Sequence, residues 1–279
     1  MSVETAVPVT PSEARTVTRR RTASLMSWWQ PVVVFFLLVG LFTLAALYYD
    51  KVQGLPYLVP YPWLIVEQVG NPIFGPQLGQ DLANSTLVAL TGLAAAIVIG
   101  TIWAVLMAQA RWVERSLYPY AVILQCIPIL ALVPLIGALF GTDFFSRVLV
   151  TTMISLFPIV SNTLFGLQSA ARAQRELFKL QGAGRMTTLL KLQFPAALPS
   201  IFVGLRTSAG LSVIGAIVGD QFFQRGKPGL GVLIQVATSR LNGAGTFAAI
   251  LTASLLGVVV FVLFGLLGRL AIGRWYDFT

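Results

Sequence analysis

What most constrains this chain is a succession of long apolar windows from which charge is absent. Runs without Asp, Glu, Lys or Arg extend from Pro31 to Tyr48, Leu82 to Ala110, Ser116 to Thr142, Val148 to Ala171 and Leu241 to Gly268. A helix rising about 1.5 Å per residue needs about 20 such residues to cross roughly 30 Å of hydrocarbon. A further window, Leu198 to Phe223, is interrupted only by Arg206 near one end and Asp220 near the other, positions from which both side chains can reach an interface or an internal cavity. The expected fold class is therefore all-α, a polytopic membrane protein with six transmembrane helices. Leu55 to Val66 is apolar too, but Pro56, Pro60 and Pro62 interrupt a helical ladder and the run is too short to cross, which predicts a loop.

The charges choose the topology. Lys and Arg number 19 against 10 acids, a formal charge of +9, yet they sit between apolar runs and form no continuous polar face of the kind that binds nucleic acid. Residues 1–27, with Arg15, Arg19, Arg20 and Arg21 among Pro, Thr and Ser, lack an apolar period and are expected to be a disordered basic cytoplasmic tail. Residues 28–279 form a six-span transmembrane domain in this reading, and the run from Pro31, which lacks a small-residue cleavage site, is a retained first span. The tail, Arg111 with Arg115, the stretch Arg172 to Arg206, and Arg269 with Arg274 alternate with faces on which Lys51, Arg147, Arg225, Lys227 and Arg240 are matched by Asp50, Glu67, Asp81, Asp143 and Asp220. The positive-inside rule then puts both termini in the cytoplasm of a multi-pass protein of the bacterial inner membrane, with the lipid bilayer as its solvent.

Composition excludes several chemistries. There is no histidine, and the single cysteine, Cys126, reads as a small buried core residue, so His-based triads, zinc clusters and intramolecular disulfides are ruled out. Neither a cofactor nor a metal is implied. A phosphate-cradling Gly-x-x-x-x-Gly-Lys-Ser/Thr loop is missing too, since Gly226-Lys227 is followed by Pro228. Nucleophile-and-base enzymology and a nucleotide-phosphate loop within this chain are thus not expected.

One connection, 172–200, is longer than a helical hairpin needs. Arg172, Arg175, Glu176 and Lys179 share a helical face, with Leu177 and Leu180 on another. Gly182 and Gly184 supply a break, after which Met186, Leu189, Leu190 and Gln193 recur at helical spacing. Pro195 is expected to end this second helix and to hold Phe194 in extended geometry. A short apolar ridge between basic residues predicts a docking surface for another protein.

Glu176, Gly182 and Pro195 stand at the spacing of the signature loop of permease subunits in binding-protein-dependent ABC importers, which runs Glu-Ala-Ala, three residues, Gly, nine residues, Ile, one residue, Leu-Pro. Leu177 and Phe178 replace the two alanines, Leu192 the isoleucine and Phe194 the leucine. Further stretches, Pro128-Ile129-Leu130-Ala131-Leu132-Val133-Pro134-Leu135, Phe157-Pro158-Ile159-Val160-Ser161-Asn162-Thr163, Pro195-Ala196-Ala197-Leu198-Pro199 and Gly229-Leu230-Gly231, resemble the nitrate, sulfonate, taurine and pyrimidine-precursor branch of that family. The resemblance implies a type I ABC importer permease. It also implies a second permease copy, read as a homodimer, a cytosolic ABC ATPase dimer and an extracytoplasmic substrate-binding protein that delivers a small nutrient. Glu176, Leu177, Gly182, Met186, Leu189, Leu190 and Pro195 are then the residues that couple to the ATPase. The rival reading, an ATP-independent secondary transporter or channel, expects ionisable groups at mid-membrane, and the middle of every predicted span is free of them.

Polar residues within spans are candidates for the translocation path. Asn162 and Thr163 are costly facing lipid and point inward, to bond between helices or to line the path; Gln125 is similar. Ser208 and Ser212, with Gly215, Ala216 and Gly219, suit close helix packing or substrate contact. Asp220 is read as an outer gate acid meeting the binding protein or as a solvated interfacial charge. Pro128, Pro134 and Pro158 predict kinks. Arg147 reads as a loop charge and Arg206 as an interfacial anchor, with help to an anion the alternative for each.

Overall fold

A computed structural model describes residues 29–273, so the basic tail and the last few residues lie outside it. All regular structure among the described residues is helical. The chain divides into two compact units. The first is described over residues 29–45 and the second starts at Ala46. Helix α1 (Trp29–Lys51) begins in the first unit and is apolar on every face, as suits a helix in lipid.

The second unit is built on α3 (Phe74–Ala108), α6 (Phe144–Gln168), α9 (Phe194–Phe222) and α11 (Gly243–Ile272). With α1 these make five helices long and apolar enough to cross a membrane. The window Ser116 to Thr142 is not one straight span. It breaks into α4 (Arg111–Cys126) and α5 (Ile129–Phe140), bent by 96°, and counts as a sixth span only when the two are taken together. Pro128 causes the break: it lacks an N–H for the ladder, and it holds Ile127 extended at φ −66, ψ 124. Cys126, expected in the core, ends α4 on the exposed side of this break.

Helices α6 and α9 pack closely because small residues let their backbones approach. A Cβ on Gly215 would lie 2.7 Å from Thr151 Cα, and one on Gly204 would lie 2.8 Å from the Pro158 carbonyl oxygen. Ala209, Val213 and Ala216 of α9 join Leu156, Ile159 and Val160 of α6 in the main apolar core. Val88, Ala89, Leu93 and Ala96 of α3 belong to it as well.

Two local expectations are corrected. Pro62 does not deny a helix; it starts α2 (Pro62–Val69), where its missing N–H costs nothing. Helix α10 (Leu230–Ser239) follows α9 and buries Leu230, Gly231, Leu233 and Ala237. Pro195 ends nothing. After α7 (Arg172–Leu180) and α8 (Arg185–Thr188), a π-turn over Leu189–Gln193 leads straight into α9, with Pro195 in its first turn and Phe194 helical at φ −66, ψ −46. The wide turn, in which Phe194 N–H bonds the Leu189 carbonyl five residues back, absorbs the proline without a break.

Candidate functional site

The loop that carries the family signature is a rigid corner. Gly182 has φ +68 and stands one residue past the cap of α7. Its N–H bonds the Lys179 carbonyl at 3.0 Å and the Ala183 N–H bonds the Phe178 carbonyl at 3.0 Å, the paired bonds of a Schellman stop. Left-handed backbone is what only glycine takes without strain, and no atom lies within 4 Å of where a Cβ would stand. Glu176 is exposed and accepts from Arg172 Nε at 2.9 Å, a solvated pair worth a few tenths of a kcal/mol. Arg175 Nη2 donates to the Gln168 carbonyl and so ties α7 to the end of α6.

The apolar ridge divides into two sides. Leu177, Leu180, Met186 and Leu190 are exposed, Leu180 to 86%. Leu189, expected on the same ridge, is buried with Leu167 and Ala197 and packs on Val105 and Ala108. It faces inward because the π-turn rotates it against the ends of α3 and α6, where it anchors the corner.

A cavity of about 550 Å³ opens where α4 breaks beside α6. Gln125 and Asn162 line it with Ser161, Phe157, Met153 and Leu211, and no charged side chain among the described residues does. Asn162 Nδ2 donates to the Pro158 carbonyl at 2.8 Å. Pro158 itself lacks the N–H that would satisfy the Ile154 carbonyl, so the helix wall here is polar. The structure thus brings two of the six path candidates together. Thr163, Ser208, Ser212 and Asp220 are buried inside helix packing and do not line this cavity. Ser208 Oγ donates to the Ser155 carbonyl at 2.7 Å across the α6–α9 contact, and Ser212 Oγ to Ala209 within its own helix at 2.8 Å.

Asp220 is neither solvated nor a surface acid. Its side chain is 0% exposed and pairs at 3.2 Å with Arg147, itself only 3% exposed. Arg147 spends its other donors on the chain after α9: Nε on the Phe223 carbonyl at 2.7 Å, Nη2 on Arg225 at 2.8 Å and Nη1 on Lys227 at 2.7 Å. Ser85 Oγ donates to Asp220 Oδ2 at 2.5 Å and accepts from the Leu230 N–H at 2.8 Å. Asn84 Nδ2 holds the Pro228 carbonyl at 2.7 Å. Gly229 lies so close that a Cβ there would overlap the Asp220 carboxylate, with Ser85 Oγ 2.5 Å away. Sequence reasoning missed this cluster. Its signal was two opposite charges at the same ends of successive spans, in a chain with few charges, beside Gly229-Leu230-Gly231.

A polytopic helical bundle with a polar-lined cavity at a broken span, a stapled connection at one end and an apolar-tipped corner at the other is the frame of a membrane permease. The chain belongs to the family described as binding-protein-dependent transport system inner membrane component, which matches residues 96–272. It is similar to the formylaminopyrimidine transport permease protein ThiX of Halalkalibacterium halodurans, 36% identical over 235 residues that cover 83% of this chain and 90% of the relative. The riboflavin transport system permease protein RibX of Chloroflexus aurantiacus is 34% identical over 80% of this chain and 82% of its own length. The nitrate import permease protein NrtB of Synechocystis is 30% identical over 63% and 66%. The chain is thus the permease subunit of an ABC importer and a multi-pass inner-membrane protein, as the signature around Glu176, Gly182 and Pro195 implied.

Proposed function

We propose that this permease, paired with an identical copy, passes a small uncharged heteroaromatic nutrient of the pyrimidine-precursor type from an extracytoplasmic binding protein into the cytoplasm. The carrying observation is the cavity at the α4–α5 break, which offers the amides of Gln125 and Asn162, the Ser161 hydroxyl and the Phe157 ring, and no charged group. Amides and hydroxyls match ring nitrogens and exocyclic amines, and the ring offers a stacking face; a sulfonate or nitrate ion would lack a cation there. The names of the pyrimidine and flavin transport relatives agree with this choice over the anion branch.

ATP hydrolysis belongs to a partner chain, a cytosolic ATPase dimer seated on the 172–200 element. The exposed Leu177, Leu180, Met186 and Leu190 fill its groove, Glu176 orients α7, and Gly182, Leu189 and Pro195 fix the corner so that movement passes into α9. Both termini, the 1–27 tail and this element lie on the cytoplasmic side of the 28–279 permease domain. The test is uptake in cells that carry the transporter with its binding protein. Labelled formylaminopyrimidine is taken up and an alkanesulfonate is not; uptake of the sulfonate alone would return the substrate to the anion branch.

A further inference from the structure

We propose a second ligand site on this subunit, distinct from the transport path: a groove between α9 and α11 that holds the phosphate of an anionic membrane lipid. The two helices run antiparallel, with Phe202 against Gly268, Arg206 against Gly265 and Val213 against Gly257. The groove, of about 110 Å³, therefore lies toward the end of the bundle that bears α7 and α8. Its charged lining is Arg206 and Arg269, and no acid among the described residues lines it. Neither arginine makes an ion pair among the described residues.

Arg206 is held in place. Its guanidinium lies over the Phe261 ring at 4.1 Å, and a Cβ on Gly265 would crowd its Nε at 3.3 Å, so glycine leaves the room that the guanidinium uses. The surface around the groove is that of a lipid-facing helix pair: Val203, Leu266, Leu267 and Leu270 are all exposed. Arg269 stands one helical turn beyond Gly265 and reaches the same opening. Two guanidinium forks at the edge of an apolar surface, with no carboxylate between them, call for an anion whose other half is apolar. A phosphatidylglycerol-type lipid is such a ligand, its phosphate between the forks and its chains along Val203 and Leu267. The site does not depend on the substrate reading above.

The test is native mass spectrometry of the full-length permease in detergent with phosphatidylglycerol or phosphatidylcholine. Wild type retains phosphatidylglycerol, and Arg206→Gln/Arg269→Gln lowers that retention at least about fivefold without changing phosphatidylcholine retention. Arg111→Gln/Arg115→Gln, an equal loss of charge elsewhere, leaves it unchanged, as does excess inorganic phosphate. Should the double variant not elute as a folded species, the exposed single variant Arg269→Gln gives the same reading. Four outcomes overturn the site: equal retention by the groove variant, an equal loss in the Arg111/Arg115 control, displacement by inorganic phosphate, or a change in self-association alone, which would make the groove a face between permease copies. Asp277, in the sequence beyond the described residues, is tested by Asp277→Asn. A rise in retention would show that the chain's own carboxylate is the occupant.

Discussion

Arg147 and Asp220, 73 residues apart in sequence, meet at 3.2 Å in the buried interface of α6 and α9, and the same guanidinium grips three carbonyls of the connection that follows. One ion pair thus joins two spans and fixes the path of the loop that leads to α10. Breaking a buried pair of this kind is costly, because the surviving charge stays buried without its counter-ion.

Asp220→Asn is therefore expected to destabilise the protein by about 3 kcal/mol, with Arg147→Met/Asp220→Leu losing less than the single change. Thermal unfolding in detergent, followed by tryptophan fluorescence, measures both. Equal stability of Asp220→Asn and wild type would mean that the pair does not hold the loop. Ser85→Ala should cost less, on the order of 1–2 kcal/mol, since it removes one donor from the Asp220 carboxylate and leaves the Leu230 N–H without its side-chain acceptor.

The apolar windows foretold six spans, five of which are single helices and the sixth a bent pair, because hydrocarbon imposes a length and a composition that sequence must meet. Proline was harder to read, since its effect depends on where the ladder already stops. Pro128 breaks a span, Pro62 starts a helix, and Pro195 is carried through by a π-turn that no periodicity announces. Of the candidate site, the Gly182 corner follows from local chemistry alone. The inward turn of Leu189 and the Arg147–Asp220 pair depend on contacts made between distant windows.

The cavity predicts a division between binding and drive. Gln125→Leu and Asn162→Ala should each raise the KM for uptake about tenfold, the loss of one to two polar contacts, while binding-protein-stimulated ATP hydrolysis persists. Thr163→Val, at a buried position off the cavity, should leave KM unchanged. If Thr163→Val and not the other two altered KM, the path would lie elsewhere.

The charge asymmetry predicts the sidedness. Cysteines introduced at the exposed positions Gln77 and Lys227 should react with an impermeant maleimide added to sealed cells, and one at Lys179 should react only after lysis. Labelling of the Lys179 site in sealed cells would reverse the orientation.

Coupling rests on the corner at Gly182. Its φ of +68 imposes a strain of order 1–2 kcal/mol on any β-branched side chain, with no neighbour for the new atoms to strike. Gly182→Val should therefore displace α8 while membrane insertion and dimerisation are retained, with Glu176→Ala giving a smaller effect of the same kind. The decisive measurement is ATP-dependent uptake by a Gly182→Val permease present at wild-type level, with ATPase copurification scored in parallel. Loss of both uptake and ATPase association is the predicted result; normal uptake would show that this element does not transmit the ATPase stroke.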